Sequence, residues 1–251
     1  MAKRTERLDA ALVARGLAAS RERARALVLA GVVRVNGAVV SKAGTPVDSS
    51  AEVTLAQPDH PYVSRGGVKL SHALDTFAID VAGALALDVG ASTGGFTDVL
   101  LRRGAARVVA LDVGHGQLDW RLRTDARVTV IERVNARTIT PDALPEAARV
   151  FDVVTIDVSF ISLKQVLPAI APLLAPAGHL VALVKPQFEA GRAEVGKGGL
   201  VRDESVQARV VEDVADAANR LGLVRAGRVE SPITGVEGNR EFFLHLTHAA
   251  V

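Results

Sequence analysis

From residue 84 onward the chain alternates short apolar runs with segments of helical period. The runs are Leu85-Ala86-Leu87-Asp88-Val89, Val108 to Asp112, Val128 to Ile131, Val153 to Asp157 and Leu180 to Lys185. Runs this short, apolar on both faces and separated by helix-length stretches, predict a parallel sheet covered by helices on both sides, a doubly wound α/β fold. The tail is different. Arg225 to Ser231 and Glu241 to Leu246, around Gly235, Gly238 and Asn239, have no helix between them and predict a closing strand hairpin, which brings the sheet to seven strands. In such a sheet, ligands bind beyond the carboxyl ends of the strands, so Asp157 and Lys185, each ending an apolar run, draw attention first.

The chain has 251 residues, enough for a large domain and a small one. It contains no cysteine, which excludes disulfides and thiolate metal sites and suits a cytoplasmic protein. His245 and His248 lie three apart on a predicted strand and its tail, on opposite faces, so no metal is expected. The charged amphipathic start at Met1 does not read as a secretory signal. Residues 166 to 184 carry no formal charge, but Pro168, Pro172, Pro176 and Gly178 divide them into a helix ending near Leu174, a turn, and a buried strand from His179 to Val184. No membrane association is expected.

Charge is unevenly spread: residues 1 to 45 hold 9 Lys/Arg against 3 Asp/Glu, and residues 46 to 251 hold 21 against 25. This asymmetry predicts a phosphate-binding appendage on a near-neutral body. Leu8, Leu12 and Val13, closed by Gly16, predict one short helix. Ser20 caps a second, from Arg21 to Ala30, stopped by Gly31. Val32 to Val35, the turn Asn36-Gly37 and Ala38 to Val40 predict a hairpin, to which Val53-Thr54-Leu55 adds a strand. The expected division is a small domain over 1–57, a linker over 58–63 rich in proline, and a large domain over 64–251.

The small domain, through Arg7-Leu8-Asp9, Ser20-Arg21 and Gly31 to Gly37 with Lys42, resembles the RNA-binding domain shared by ribosomal small-subunit protein four and several RNA-modifying enzymes. That resemblance implies recognition of RNA shape and phosphate. Lys3, Arg4, Arg7, Arg21, Arg23 and Arg25, with Arg65 at the opening of the large domain, are the candidate RNA contacts.

The loop Asp88-Val89-Gly90-Ala91-Ser92-Thr93-Gly94-Gly95-Phe96 follows the first apolar run, and Asp112 ends the second, placed to meet ribose hydroxyls. The spacing departs from the dinucleotide Gly-x-Gly-x-x-Gly pattern and lacks the Lys-Ser/Thr of an ATP loop, which favours S-adenosylmethionine over NAD or ATP. Another nucleotide, or a purely structural turn, stays open at this point. The candidate cofactor residues are Asp88, Gly90, Ala91, Ser92, Gly94, Gly95, Phe96, Asp112, Asn135 and Asp157.

Nearly the whole chain resembles the TlyA family of ribosomal RNA 2′-O-methyltransferases, also called hemolysins, whose catalytic domain is similar to that of the FtsJ/RrmJ methyltransferases. The resemblance rests on Ser64-Arg65-Gly66-Gly67 with Lys69-Leu70, the glycine loop, Gly116 to Trp120, Asp157 to Leu163, Val184 to Glu189, and Gly238 to Phe243. It implies a methyltransferase-type seven-stranded sheet, S-adenosyl-L-methionine as cofactor, and ribosomal RNA in ribosomal subunits as partner, with cytidine as the target. It also maps a catalytic Lys-Asp-Lys-Glu tetrad onto Lys69, Asp157, Lys185 and Glu241. A ribose hydroxyl is a weak nucleophile, so Lys185 is expected to take its proton while Lys69 supplies neighbouring positive charge. Asp157 is expected to orient both amines, and Glu241 to position a lysine or the ribose. Some members that act on both subunits carry Arg-x-Trp-Val between the domains; here the segment is His60-Pro61-Tyr62-Val63. A catalytically silent RNA-binding protein is the rival reading. A pore-forming hemolysin is another, which no amphipathic hairpin array or clean membrane span supports.

Overall fold

The computed structural model describes residues 5–56, 60–145, 148–235 and 238–249. The chain divides into two compact units, Met1–Pro61 and Tyr62–Val251.

In the first unit, β1 (Thr5–Arg7) leads directly into α1 (Leu8–Ala14), and α2 (Arg21–Leu29) begins at Ser20, whose side chain accepts from the Arg23 amide. β2 (Val33–Val35) turns at Asn36-Gly37, both with positive φ, into β3 (Ala38–Val39). Next come β4 (Pro46–Asp48) and β5 (Val53–Leu55); β5 pairs with β2. The antiparallel pair of β1 with β4 was not foreseen: these three-residue strands carry no period for a sequence reading to find. Leu8, Leu12, Ala24, Val28 and Val33 are wholly buried in the unit's own core.

Several of the candidate RNA contacts are engaged within the unit. Asp9, on the first turn of α1 and fully buried, accepts from Arg7 Nε and Nη2 at 3.0 Å each, from Arg21 Nη2 at 3.0 and 3.1 Å, and from Arg25 Nε at 3.3 Å. Arg23 donates to the carbonyl of His60 at 3.2 Å. Lys3 and Arg4 lie outside the described residues.

The second unit begins with α3 (Gly66–Thr76) and the central strand β6 (Leu85–Val89), followed by α4 (Gly95–Arg102), β7 (Arg107–Asp112), α5 (Trp120–Arg123) and β8 (Val128–Glu132). Then come β9 (Phe151–Ile156), α6 (Leu163–Ile170), β10 (Leu174–Val184), α7 (Pro186–Glu189), α8 (Glu204–Asn219), β11 (Leu223–Glu230) and β12 (Phe242–His248). The sheet order is β11-β12-β10-β9-β6-β7-β8; β12 runs antiparallel to both of its neighbours, and the other pairs are parallel. It is the expected doubly wound seven-stranded sheet with its closing hairpin.

Alternate strand residues serve the two faces. Leu87, Val89, Leu111, Val154 and Ile156 pack with Val166, Leu167, Val211 and Val214 of α6 and α8. Ala86, Val108, Val153 and Leu183 pack with Leu70, Leu74, Val99 and Leu100 of α3 and α4. Such side chains contribute about 1.5–3 kcal/mol each when fully buried. The uncharged stretch 166–184 divides somewhat differently than expected. α6 ends at Ile170, a tight turn covers Ala171–Leu173, and the strand resumes at Leu174, which pairs with Phe151 before a register break ahead of His179. Among the described residues no helix is long and apolar enough to cross a membrane.

The Arg7 guanidinium, with those of Arg21 and Arg25, holds the Asp9 carboxyl far below the usual carboxylate range against the opposing effect of burial. A depressed folded value means that this stabilisation is complete above the unfolded carboxylate pKa, about 4, and is lost as pH falls through the folded value. Protection of the α1 and α2 amides, taken relative to the intrinsic exchange rate at each pH, is therefore expected to fall on acidification below about pH 4. In Asp9→Asn, protection should be lower already at neutral pH and should respond less to acid.

Candidate active site

The order of the strands reverses between the paired parallel strands β6 and β9, and the candidate site lies beyond their carboxyl ends. After Val89 the backbone turns sharply at Gly90, φ +85°, where a Cβ would overlap the carbonyl oxygen of Asp157. The Asp157 amide in turn donates to the Val89 carbonyl at 2.9 Å. Gly90 and Ala91 donate to Leu111 O at 2.8 and 3.1 Å, and the carboxylate of Asp112 accepts from the amides of Ser92 and Gly114 at 2.8 and 2.7 Å. The glycine loop is thus tied to the ends of both strands beside it. At Gly95 a Cβ would overlap the Ser64 hydroxyl, so α4 begins hard against the segment that opens α3.

Two of the residues expected to touch a cofactor support the loop from behind. Asp88 is wholly buried and accepts from Thr97 Oγ1 at 2.7 Å and Thr155 Oγ1 at 3.2 Å. Burial pushes its carboxyl up to about 7; Asp157 adds to the rise, while the two hydroxyls oppose it. Gly94, φ +96°, lies under Leu118 and Leu122, where any Cβ would collide. An acidic residue near the end of a strand and a glycine in a turn look alike in sequence whether they face a ligand or the core.

Two cavities adjoin this loop. One, of about 620 Å³, is walled by Leu111, Val113, Val134, Ala136, Val158 and Ile161, with Asp112, Asn135, Gln117, Arg137 and Gln165 among its polar members. The other, of about 500 Å³, is lined by Lys69, Asp157, Lys185 and Glu241, together with Arg65, Ala91, Gly95, Phe96, Phe160 and Phe188. Gly90, Ser92, Asp157, Ser159 and Phe160 line both.

The four charged residues come from four separate places in the chain: Lys69 from α3, Asp157 and Lys185 just after β9 and β10, and Glu241 just before β12. They form two ion pairs. Lys69 Nζ meets Glu241 Oε2 at 2.5 Å, with both residues buried, and Lys185 Nζ meets Asp157 Oδ1 at 2.6 Å. The expectation that Asp157 orients both amines is corrected accordingly. Asp157 and Lys185 end neighbouring strands, whereas α3 crosses on the other face and delivers Lys69 to the start of β12. Lys185 also donates to Ser159 Oγ at 3.0 Å, a contact the sequence reading missed although Ser159 sits two residues past Asp157. Among the described residues no group of three or more His, Asp and Glu could hold a metal ion.

Residues 62–248 match the model of the FtsJ-like methyltransferase family, and residues 6–53 match the S4 domain. The chain belongs to this methyltransferase family. The 16S/23S rRNA (cytidine-2'-O)-methyltransferase TlyA of Mycobacterium tuberculosis is 52% identical over 98% of the chain and 91% of its own length. Hemolysin A of Brachyspira hyodysenteriae is 40% identical over 95% of the chain and 98% of its own length. A solved Streptococcus thermophilus protein, described provisionally as a hemolysin, superposes with a TM-score of 0.77 at 44% identity, covering 99% of this chain and 90% of that one. The S4 domain and the FtsJ-like domain account for both units of the chain.

The close approach at Gly90 gives a direct test. Gly90→Ala is expected to cost about 2 kcal/mol from its left-handed backbone alone. It should also push β6 and β9 apart, which would be read as faster hydrogen exchange at the Asp157 amide.

Proposed function

We propose that this FtsJ-like methyltransferase moves the methyl group of S-adenosyl-L-methionine to a ribose 2′-hydroxyl of ribosomal RNA, at a cytidine, in the cytoplasm where ribosomes are made. The observation that carries the reading is the meeting of Lys69, Asp157, Lys185 and Glu241 in one cavity that shares a wall with a second, nucleoside-sized one. The printed activity of the Mycobacterium tuberculosis relative supports the substrate class.

The larger cavity fits the cofactor. Its apolar walls suit an adenine ring, while Asp112 and Asn135 suit ribose hydroxyls and ring nitrogens, and the glycine loop admits close backbone approach. Gly90, Ala91, Ser92, Asp112, Asn135 and Asp157 would hold the molecule. When bound, it supplies an electrophilic methyl on a positively charged sulfur.

The chain's own residues prepare the acceptor. Asp157 and Ser159 fix the Lys185 amine at the wall between the cavities, where it accepts the proton of the ribose hydroxyl. Lys69, held by Glu241 in the same cavity, supplies positive charge that favours the developing alkoxide. Phe160 and Phe188 present ring faces at the cavity mouth on which a splayed base stacks. Arg65, in the same cavity, meets backbone phosphate, and the S4 unit adds affinity for RNA through its arginines.

The test is transfer of labelled methyl from S-adenosylmethionine to purified ribosomal subunits and intact ribosomes, with the modified ribose mapped. Label is expected in the wild type, and Lys185→Ala should lose about 10²–10⁴-fold in turnover while cofactor binding survives. Cofactor binding without label in any RNA would leave the silent RNA-binding reading in place. Deleting residues 1–57 is expected to weaken RNA binding and flatten its dependence on salt, with little change in cofactor affinity.

A further inference from the structure

Between β9 and α6 the chain carries Ser159 and Phe160 into the acceptor cavity in a way that nothing local explains. Phe160 is 90% exposed and has φ +64°, a conformation that a bulky side chain rarely adopts. Its ring meets that of Phe188 at 5.2 Å between centroids. Neither burial nor backbone preference holds Phe160 itself, so its place depends on the contacts of the residues on either side.

Besides the Asp157 amide bond to Val89 and the packing of Val158 and Ile161 on the core, the side-chain hydrogen bonds and ion pairs across to another segment run to the stretch that follows β10. At the near end Lys185 binds Asp157 and Ser159. At the far end Glu189, 8% exposed, accepts from Ser162 Oγ at 2.5 Å and from the Leu163 amide at 2.6 Å, with Lys164 Nζ at 3.9 Å. Ser162 in turn caps α6 by accepting from the Lys164 amide at 3.2 Å. Residues 157–163 and 185–189 therefore lie side by side like rails joined by four rungs, and the Glu189 rung is the one buried from solvent. Burial pushes the Glu189 carboxyl above the usual range against the donations of Ser162 and Leu163. A buried carboxylate that touches neither cavity, yet joins the two segments that carry Asp157 and Lys185, calls for a role.

We propose that Glu189 is a positioning residue for methyl transfer: through Ser162 and Leu163 it holds the Ser159–Phe160 wall of the acceptor cavity against Lys185 and Phe188. This rests on the function proposed above. It predicts that the acceptor side suffers more, because Ser159 and Phe160 line both cavities whereas Lys185 and Phe188, against which they are held, line only the smaller one, and the larger keeps Asp112 and Asn135 on its far side.

The experiment compares wild type, Glu189→Ala, Glu189→Gln and Ser162→Ala in chains labelled with 4-fluorophenylalanine, the Phe160 resonance being assigned with Phe160→Leu. In Glu189→Ala the Phe160 fluorine signal should move toward that of a free exposed ring. Turnover at saturating cofactor should fall by about 100-fold, the effect of a displacement of about 1 Å at a reacting centre, with a much smaller loss of cofactor affinity. Glu189→Gln, which keeps an acceptor oxygen, should restore most of both signals, and Ser162→Ala, which removes one of the two bonds, should fall between. An unmoved Phe160 signal in Glu189→Ala overturns the proposal. So does loss of cofactor affinity and thermal stability in step with turnover in all three variants, since that is general damage. If the wild type methylates no RNA, the proposed function fails, and the fluorine signal still decides whether Glu189 holds Phe160.

Discussion

The structure depends on one close backbone approach, that of Gly90 to the carbonyl of Asp157. Two parallel strands whose side chains are large enough to fill both faces of a sheet would normally diverge at their ends, where the chain leaves for a helix. Here the Asp157 amide donates back to Val89 and the missing Cβ of Gly90 lets the two strand ends close. Because β6 is the strand at which the sheet order reverses, every element bearing on the site is referred to this point. β7 brings Asp112 to the loop amides, β10 places Lys185 beside Asp157, and β12 starts just after Glu241. The helices follow, with α4 set against Ser64 by Gly95.

The charges around that point are arranged in pairs, which has an energetic reason. Two lysines in one cavity repel each other and lose hydration; a carboxylate from a different element beside each offsets both costs. The pairs are unequal in burial. The two lysine side chains are equally covered, 11% exposed each, and the difference lies in the acids, Glu241 at 3% and Asp157 at 22%.

The fold of the second unit was legible because its strands announce themselves: runs of four to six apolar residues ending in charge have few alternatives to a covered parallel sheet. Residue types at strand ends were legible for the same reason. What they touch was not, because pairing depends on which strand neighbours which and on where α3 crosses, and sequence spacing carries neither. Hence Asp157 was expected between two amines and stands beside one. Asp88 and Gly94 carry the same lesson: their types suit a ligand loop, but they serve the core beneath it. Ser159 and Glu189 were quoted as parts of motifs without a role, and only the side-by-side run of two strand-end segments reveals what they do.

In the first unit the arginine-rich pattern was read correctly as a concentration of positive charge but not as an organised one. Asp9 gathers Arg7, Arg21 and Arg25 from a strand, the start of a helix and its second turn, and about half of each side chain stays exposed. One carboxylate against three guanidiniums leaves the group net positive. A guanidinium has five N–H donors, and Arg7 spends two of them on Asp9, so donor capacity remains after the cluster forms. Flexible arginines lose rotamer freedom when they engage a phosphate, whereas arginines already held by a buried acid have lost it on folding. The buried carboxylate therefore subtracts a charge from the surface and returns order to it, the exchange expected where a small module must present cations in a set arrangement.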